Sequence, residues 1–179
     1  MSPTDLYNYL ESTRVDTFKH FHAIGSTNDV ALDWVDHGAA DYSLVVADEQ
    51  TRGRGRFDRR WISRPGSSLA FSLILRPTPE EMNRIPFFAP LCGLAVREAL
   101  ANSLSLNAEI KWPNDVLVNR RKCCGILVEA SWTGGKLAGI VLGIGINVSP
   151  QSIPPAENQS FPATCLETEA GCAVDRFSI

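Results

Sequence analysis

The run from Val116 to Val148 alternates apolar segments with short polar turns. Val116-Leu117-Val118, Cys123 to Trp132 and Leu137 to Val148 are the apolar segments. Asn119-Arg120-Arg121 and Thr133-Gly134-Gly135-Lys136 separate them. Such segments joined by polar, glycine-bearing turns read as hairpins, so this half of the chain is an antiparallel meander. Ala108 to Lys111 is a further short strand leading into it, closed by Trp112-Pro113-Asn114-Asp115.

Upstream the period changes. Residues 18–24 alternate apolar and polar side chains as a strand does. Ser26 or Thr27 can cap a helix over 28–37, whose Val30, Ala31, Trp34 and Val35 share a face and whose stop is Gly38. Leu44-Val45-Val46-Ala47 is a buried strand by composition, and Leu69 to Leu75 is the next. Pro79 and Pro86 break the following stretch, and a helix over 87–103 comes after it. Strands and helices mix without regular βαβ alternation, which predicts an α/β (α+β) domain with a mixed, largely antiparallel sheet flanked by helices. Residues 150–162 read as a loop, and Asp175 to Ile179 as the start of a helix cut short.

The 179 residues suffice for one domain with a sizeable core. Apolar residues make up 44% and charged residues 21%, as in ordinary globular proteins. A net charge of -3 argues against a protein that coats nucleic acid. The five cysteines form no CxxC pair, which suits reduced thiols. With no leader pattern and no long apolar run, the expectation is a cytoplasmic protein that neither enters a membrane nor binds DNA.

Against that acidic background, Arg52-Gly53-Arg54-Gly55-Arg56 stands out, with Arg59 and Arg60 close behind. Guanidinium forks bind phosphate and carboxylate, and glycines expose backbone N–H groups. Neither a Walker loop nor a dinucleotide GxGxxG is present. Taken alone, the segment suits a phosphate lid, an RNA contact or a solvated surface loop. Asn114-Asp115 at a strand end suits Mg²⁺, a ribose or base, or a plain Asx turn. Lys122 opens an apolar strand and either points into the same cavity or is solvated. Gly143 and Gly145 weaken a strand interior, which marks a close approach or a bulge. Ser26-Thr27-Asn28 suits a helix cap or a small polar ligand head.

In their order along the chain these motifs resemble the catalytic domain of biotin–protein ligases, over roughly residues 20–149. Ser26-Thr27-Asn28 comes first, then Gln50-Thr51-x-Gly53-Arg54-Gly55-Arg56 with Trp61, then Lys111-Trp112-Pro113-Asn114-Asp115. Lys122-x-x-Gly125-Ile126-Leu127-Val128-Glu129 and Gly143-x-Gly145-x-Asn147 complete the set. The resemblance implies the fold that such domains share with class II aminoacyl-tRNA synthetases. It implies an ATP-dependent biotin–[acetyl-CoA-carboxylase] ligase that makes biotinyl-5′-AMP and then biotinylates one lysine of a biotin carboxyl carrier protein. ATP and Mg²⁺ are the implied cofactors and biotin the substrate.

By the same resemblance, Ser26, Thr27, Gln50, Gly53, Arg54, Arg56, Lys122, Gly125, Leu127, Gly143 and Gly145 bind biotin. Arg54, Gly55, Arg56, Arg59, Trp61, Asn114, Asp115, Lys122 and Asn147 bind nucleotide. Arg56 and Lys122 are catalytic, and Asp115 is the metal candidate. Phe57-Asp58 departs from the family's Arg-Gly step in the loop. Residues 1–179 read as a single catalytic domain, core about 18–149, with neither the SH3-like domain that normally follows nor the DNA-binding domain of bifunctional members. Lipoate–protein ligases share the fold and the acyl-adenylate chemistry. A nonenzymatic ligand- or nucleic-acid-binding module is the reading from another class.

Overall fold

A computed structural model describes residues 3–155 and 161–179. The chain order is α1 (Pro3–Leu10), β1 (Phe18–Phe21), α2 (Thr27–Asp36), β2 (Leu44–Ala47), β3 (Ser68–Leu75), α3 (Phe88–Leu104), β4 (Ala108–Lys111), β5 (Asp115–Val118), β6 (Arg121–Thr133), β7 (Lys136–Asn147) and α4 (Leu166–Ala170). Short 3-10 turns cover Met82–Phe87 and Pro150–Ser152. The seven strands form one sheet in the order β1-β2-β3-β7-β6-β5-β4. Only the β1–β2 pair is parallel; the other pairings are antiparallel. The mixed, largely antiparallel sheet and the β4-to-β7 meander are therefore as expected.

The turns explain the meander. Asn119 and Arg120 both take left-handed backbone (φ 48° and 60°), as do Gly134 and Gly135 (φ 58° and 76°). Positive φ at both central residues matches the right-handed twist of the flanking strands.

Alternation along β7 divides the core between two faces. Ile140, Leu142 and Ile146 pack with Val96 and Leu100 of α3. Val141 faces the other way, with Ala31 and Val35 of α2, Val45 and Ile74. Leu6 of α1 covers Leu44 and Val46. Strand geometry then places Gly139, Val141, Gly143, Gly145 and Asn147 all on the α2 face. Their cross-strand partners on β3 are Ile74, Ser72, Ala70 and Ser68, opposite Val141, Gly143, Gly145 and Asn147. On β6 they are Glu129, Leu127 and Gly125, opposite Val141, Gly143 and Gly145.

Three expectations differ. The first strand ends at Phe21, and the chain rejoins the sheet only at an Ile24–Gln50 parallel bridge. Asp175 to Ile179 is not helical; instead Leu166–Ala170 is, stopped by Gly171 at φ 70°. Of the segment read as a loop over 150–162, residues 156–160 lie outside the described residues, and the chain from Pro162 onward returns to the sheet. Lys122 N donates to Pro162 O at 2.7 Å, and Thr164 N donates to Lys122 O at 2.9 Å. No described helix is long and apolar enough to cross a membrane.

Candidate functional site

Adjacent parallel strands send their continuations toward one place. Beyond β1 and β2, Thr51 N donates to Ile24 O and Arg52 N to Gly25 O, both at 2.8 Å. The chain after β1 then enters α2 and the chain after β2 enters the Arg/Gly segment. Ser26, Thr27 and Gln50 thus meet at the mouth of a cleft of about 1100 Å³. Every residue expected at the site lines it: Ser26, Thr27, Gln50, Gly53, Arg54, Gly55, Arg56, Arg59, Trp61, Asn114, Asp115, Lys122, Gly125, Leu127, Gly143, Gly145 and Asn147. At this size a nucleotide and a second small ligand fit side by side.

One end of the cleft is polar but uncharged. Gln50 Oε1 accepts from Thr27 N at 2.7 Å and from Thr27 Oγ1 at 3.0 Å. That fixes the amide and leaves its Nε2 donor to the cleft. Ser72 Oγ donates toward Thr27 Oγ1 at 2.8 Å and Asn28 Oδ1 at 2.6 Å. Ser72 is fully buried on β3, and sequence reasoning missed it. Its signal was a hydroxyl on the small-residue face Ser68, Ala70, Ser72 of an otherwise apolar strand. Ser26 occupies the N-cap position of α2 by backbone, but its side chain makes no capping bond.

The opposite end is cationic. Lys122 Nζ lies 2.6 Å from Asp115 Oδ1, and Lys111 Nζ lies 3.5 Å from Asp115 Oδ2. Asn114 donates to Ile126 O at 2.8 Å and accepts from Arg56 Nη1 at 3.3 Å. Asn147 donates to Thr164 O at 3.0 Å. Among the described residues, no group of three or more His, Cys, Asp or Glu side chains converges on a metal position. Asp115 shares the cleft with Glu49 and Asp58 and is itself paired with Lys122 and Lys111.

The Arg/Gly segment is a small hairpin. Trp61 N donates to Gly53 O at 3.0 Å and Gly55 N to Arg59 O at 2.7 Å. Phe57 and Asp58 sit at its tip, both left-handed at φ 56° and 58°, so the departure from the family pattern falls in the turn itself. Gly53 permits the hairpin, since a Cβ there would lie 2.5 Å from Trp61 O.

Arg54 differs from the expectation of a ligand-facing cation. Its guanidinium forks onto Glu129 at 2.8 and 2.6 Å and reaches Asp29 at 2.9 Å. Burial lowers its pKa, but the two carboxylates more than reverse that and hold it firmly charged. The floor glycines also have unforeseen neighbours from the chain itself. A Cβ on Gly143 would lie 2.1 Å from Asn28 Oδ1, and one on Gly145 would lie 2.5 Å from Trp61 Cε2. The indole therefore lies on the floor over Gly125 and Gly145, its buried Nε1 without a hydrogen-bond partner among the described residues.

Residues 21–147 match the biotin/lipoate A/B protein ligase family. The chain belongs to that family. Among curated relatives, the bifunctional ligase/repressor BirA of Bacillus subtilis (strain 168) is 36% identical over 156 residues, which are 87% of this chain and 48% of BirA. The biotin–[acetyl-CoA-carboxylase] ligase of Paracoccus denitrificans is 37% identical over 155 residues, 84% of this chain and 62% of that protein. The chain thus spans about half the length of the BirA relatives it matches. Among solved structures, the biotin protein ligase from Aquifex aeolicus in complex with biotin and ATP superposes with TM-score 0.73 at 32% identity, over 90% of this chain and 64% of that one. The Leishmania major biotin protein ligase with biotinyl-5-AMP gives 0.75 at 26% identity, over 91% and 70%.

Proposed function

We propose that the chain is the catalytic domain of a biotin–protein ligase, with residues 1–179 acting as one unit in the cytoplasm. The observation that carries this reading is the two-ended cleft. An uncharged hydrogen-bonding end (Thr27, Asn28 and Gln50, backed by the buried Ser72) and a cationic end (Arg56, Lys122) share one cavity. Biotin matches both ends, with a ureido head at one and a carboxylate at the other. The dithiolane of lipoate has neither N–H nor C=O and would leave the first end unpaired. A site built to hydrogen-bond its substrate rejects an analogue lacking those groups by about 10⁴–10⁵.

In the first step a biotin carboxylate oxygen attacks the α-phosphorus of ATP, a P–O bond forms, and the bond to pyrophosphate breaks. Two anions must approach, and Arg56 and Lys122 offset their repulsion and stabilise the charge that develops. Mg²⁺ near Asp115 would neutralise the leaving pyrophosphate. In the second step an acceptor lysine amine attacks the acyl carbon, AMP leaves, and the amine loses a proton to solvent. The acceptor in this reading is the carrier domain of acetyl-CoA carboxylase. The hairpin over the cleft limits water access to the hydrolysable adenylate.

Incubation with biotin, ATP and Mg²⁺ should give biotinyl-AMP by mass spectrometry and stoichiometric pyrophosphate, with lipoate giving neither. Equal turnover of lipoate would refute the biotin assignment, and no adenylate from either acid would refute the enzyme.

A further inference from the structure

Glu129 closes the Lys122–Glu129 motif without any of the expected binding or catalytic roles falling on it, yet it sits at the meeting point of three parts of the site. Its Oε1 and Oε2 accept the Arg54 fork at 2.8 and 2.6 Å. Its Oε2 also accepts from Asn28 Nδ2 at 2.7 Å. Asn28 in turn donates to Leu127 O at 3.2 Å, accepts from Ser72, and covers Gly143. One carboxylate therefore joins the Arg/Gly hairpin, the first turn of α2 and the floor strand β6.

The placement has physical reasons. Glu129 pairs with Val141 across β6 and β7, so its side chain rises from a fixed register position on the α2 face. A bidentate guanidinium–carboxylate pair holds one geometry, unlike a point-charge contact. The pair is only about one-quarter to two-fifths exposed, at 24% for Glu129 and 38% for Arg54. Asp29 adds a second carboxylate on the same guanidinium. Arg54 is thus neutralised within the protein, which leaves Arg56, bonded instead to the Asn114 amide, to meet an incoming anion.

We propose that Glu129 is a positioning residue: it latches the Arg/Gly hairpin over the cleft through Arg54 while aiming the Asn28 amide. The latch stands on contacts within the chain. Its consequence, retention of the acyl-adenylate, rests on the reading given under Proposed function.

Ligand-free hydrogen exchange tests the latch directly. Glu129→Gln and Arg54→Lys should each speed exchange over residues 53–61 by about tenfold, the scale of one charge-assisted hydrogen bond, and leave residues 140–146 unchanged. The double variant should exceed the larger single effect by less than about twofold, since both remove one interaction. In single-turnover assays each variant should lose biotinyl-AMP at least about fivefold faster, and restriction of the faster exchange to residues 53–61 separates this from a general loss of structure, which would speed exchange at 140–146 as well. Unchanged exchange at 53–61 in both single variants, or multiplicative effects in the double, would overturn the latch. If Glu129→Gln fails to fold, the more exposed Arg54→Lys decides alone. If the unaltered chain makes no biotinyl-AMP, the biotin reading falls while the exchange result still decides the latch.

Discussion

Gly143→Ala offers a sharp test of how the floor is built. The added Cβ would lie 2.1 Å from Asn28 Oδ1 and 2.8 Å from its Cγ and Nδ2, far inside van der Waals contact. β7 is central in the sheet and cannot retreat, so Asn28 must leave. Its departure gives up bonds to Ser72, Leu127 O and Glu129. Two neutral bonds at about 1 kcal/mol each and one to a carboxylate at about 2 kcal/mol set a ceiling near 4 kcal/mol. Alanine's lower unfolded-state entropy and partial repacking return about 1 kcal/mol. A net loss of about 2–3 kcal/mol lowers Tm by roughly 4–12 °C for a chain of this size. Gly93→Ala is the internal control. It lies within α3 and its Cβ would meet Ile110 Cγ2 at 3.5 Å, an ordinary contact. Helix propensity then predicts a gain of up to about 1 kcal/mol. Calorimetric melts of both variants at one pH provide the comparison. A Gly143→Ala Tm within about 1 °C of the parent, or a Gly93→Ala loss as large as that of Gly143→Ala, would refute the packing argument.

The same geometry sets other outcomes. Arg56→Ala and Lys122→Ala should each slow adenylate formation by at least about tenfold while shifting Tm by less than about 3 °C, because both side chains face the cleft; pyrophosphate release and melting curves report the two effects separately. Phe57→Asn with Asp58→Gly should stabilise the hairpin by about 1 kcal/mol, since both replacements accept left-handed backbone more readily than Phe57 does; slower exchange at 53–61 is the readout. For Asp48, burial pushes the pKa up, but hydrogen bonds with His20 and His22 and the Arg176 guanidinium outweigh it and hold the carboxyl below its ordinary value. That stabilisation is complete above about pH 4 and disappears as pH falls through the lowered pKa. Asp48→Asn should therefore melt lower than the parent at pH 7, with the gap closing in acid.

Local chemistry made much of this legible in advance. The meander could be read because its turns carry residues suited to positive φ, and α2 and α3 because their apolar spacing and stops are local. The cleft residues could be gathered because each motif has its own signature. The contacts that stayed hidden depend on register. Nothing near Arg54 indicates that Glu129, 75 residues away, will take its charge. The glycine spacing announced a close approach without saying that Asn28 and Trp61 would make it. Helix α4 escaped because five residues give too little periodicity, although Gly171 marks its stop.

The return of the chain to Lys122 bears on where this protein can be cut. The family match ends at residue 147. Yet the backbone N–H and C=O of Lys122 are both satisfied by Pro162 and Thr164, and the buried Asn147 amide by Thr164 O. A fragment trimmed at the family boundary would keep every strand and every motif. It would lose the clasp that sets the angle of the ammonium-bearing residue and would expose the sheet edge beside it. The smallest piece worth expressing therefore runs past Thr164, about 17 residues beyond the family boundary.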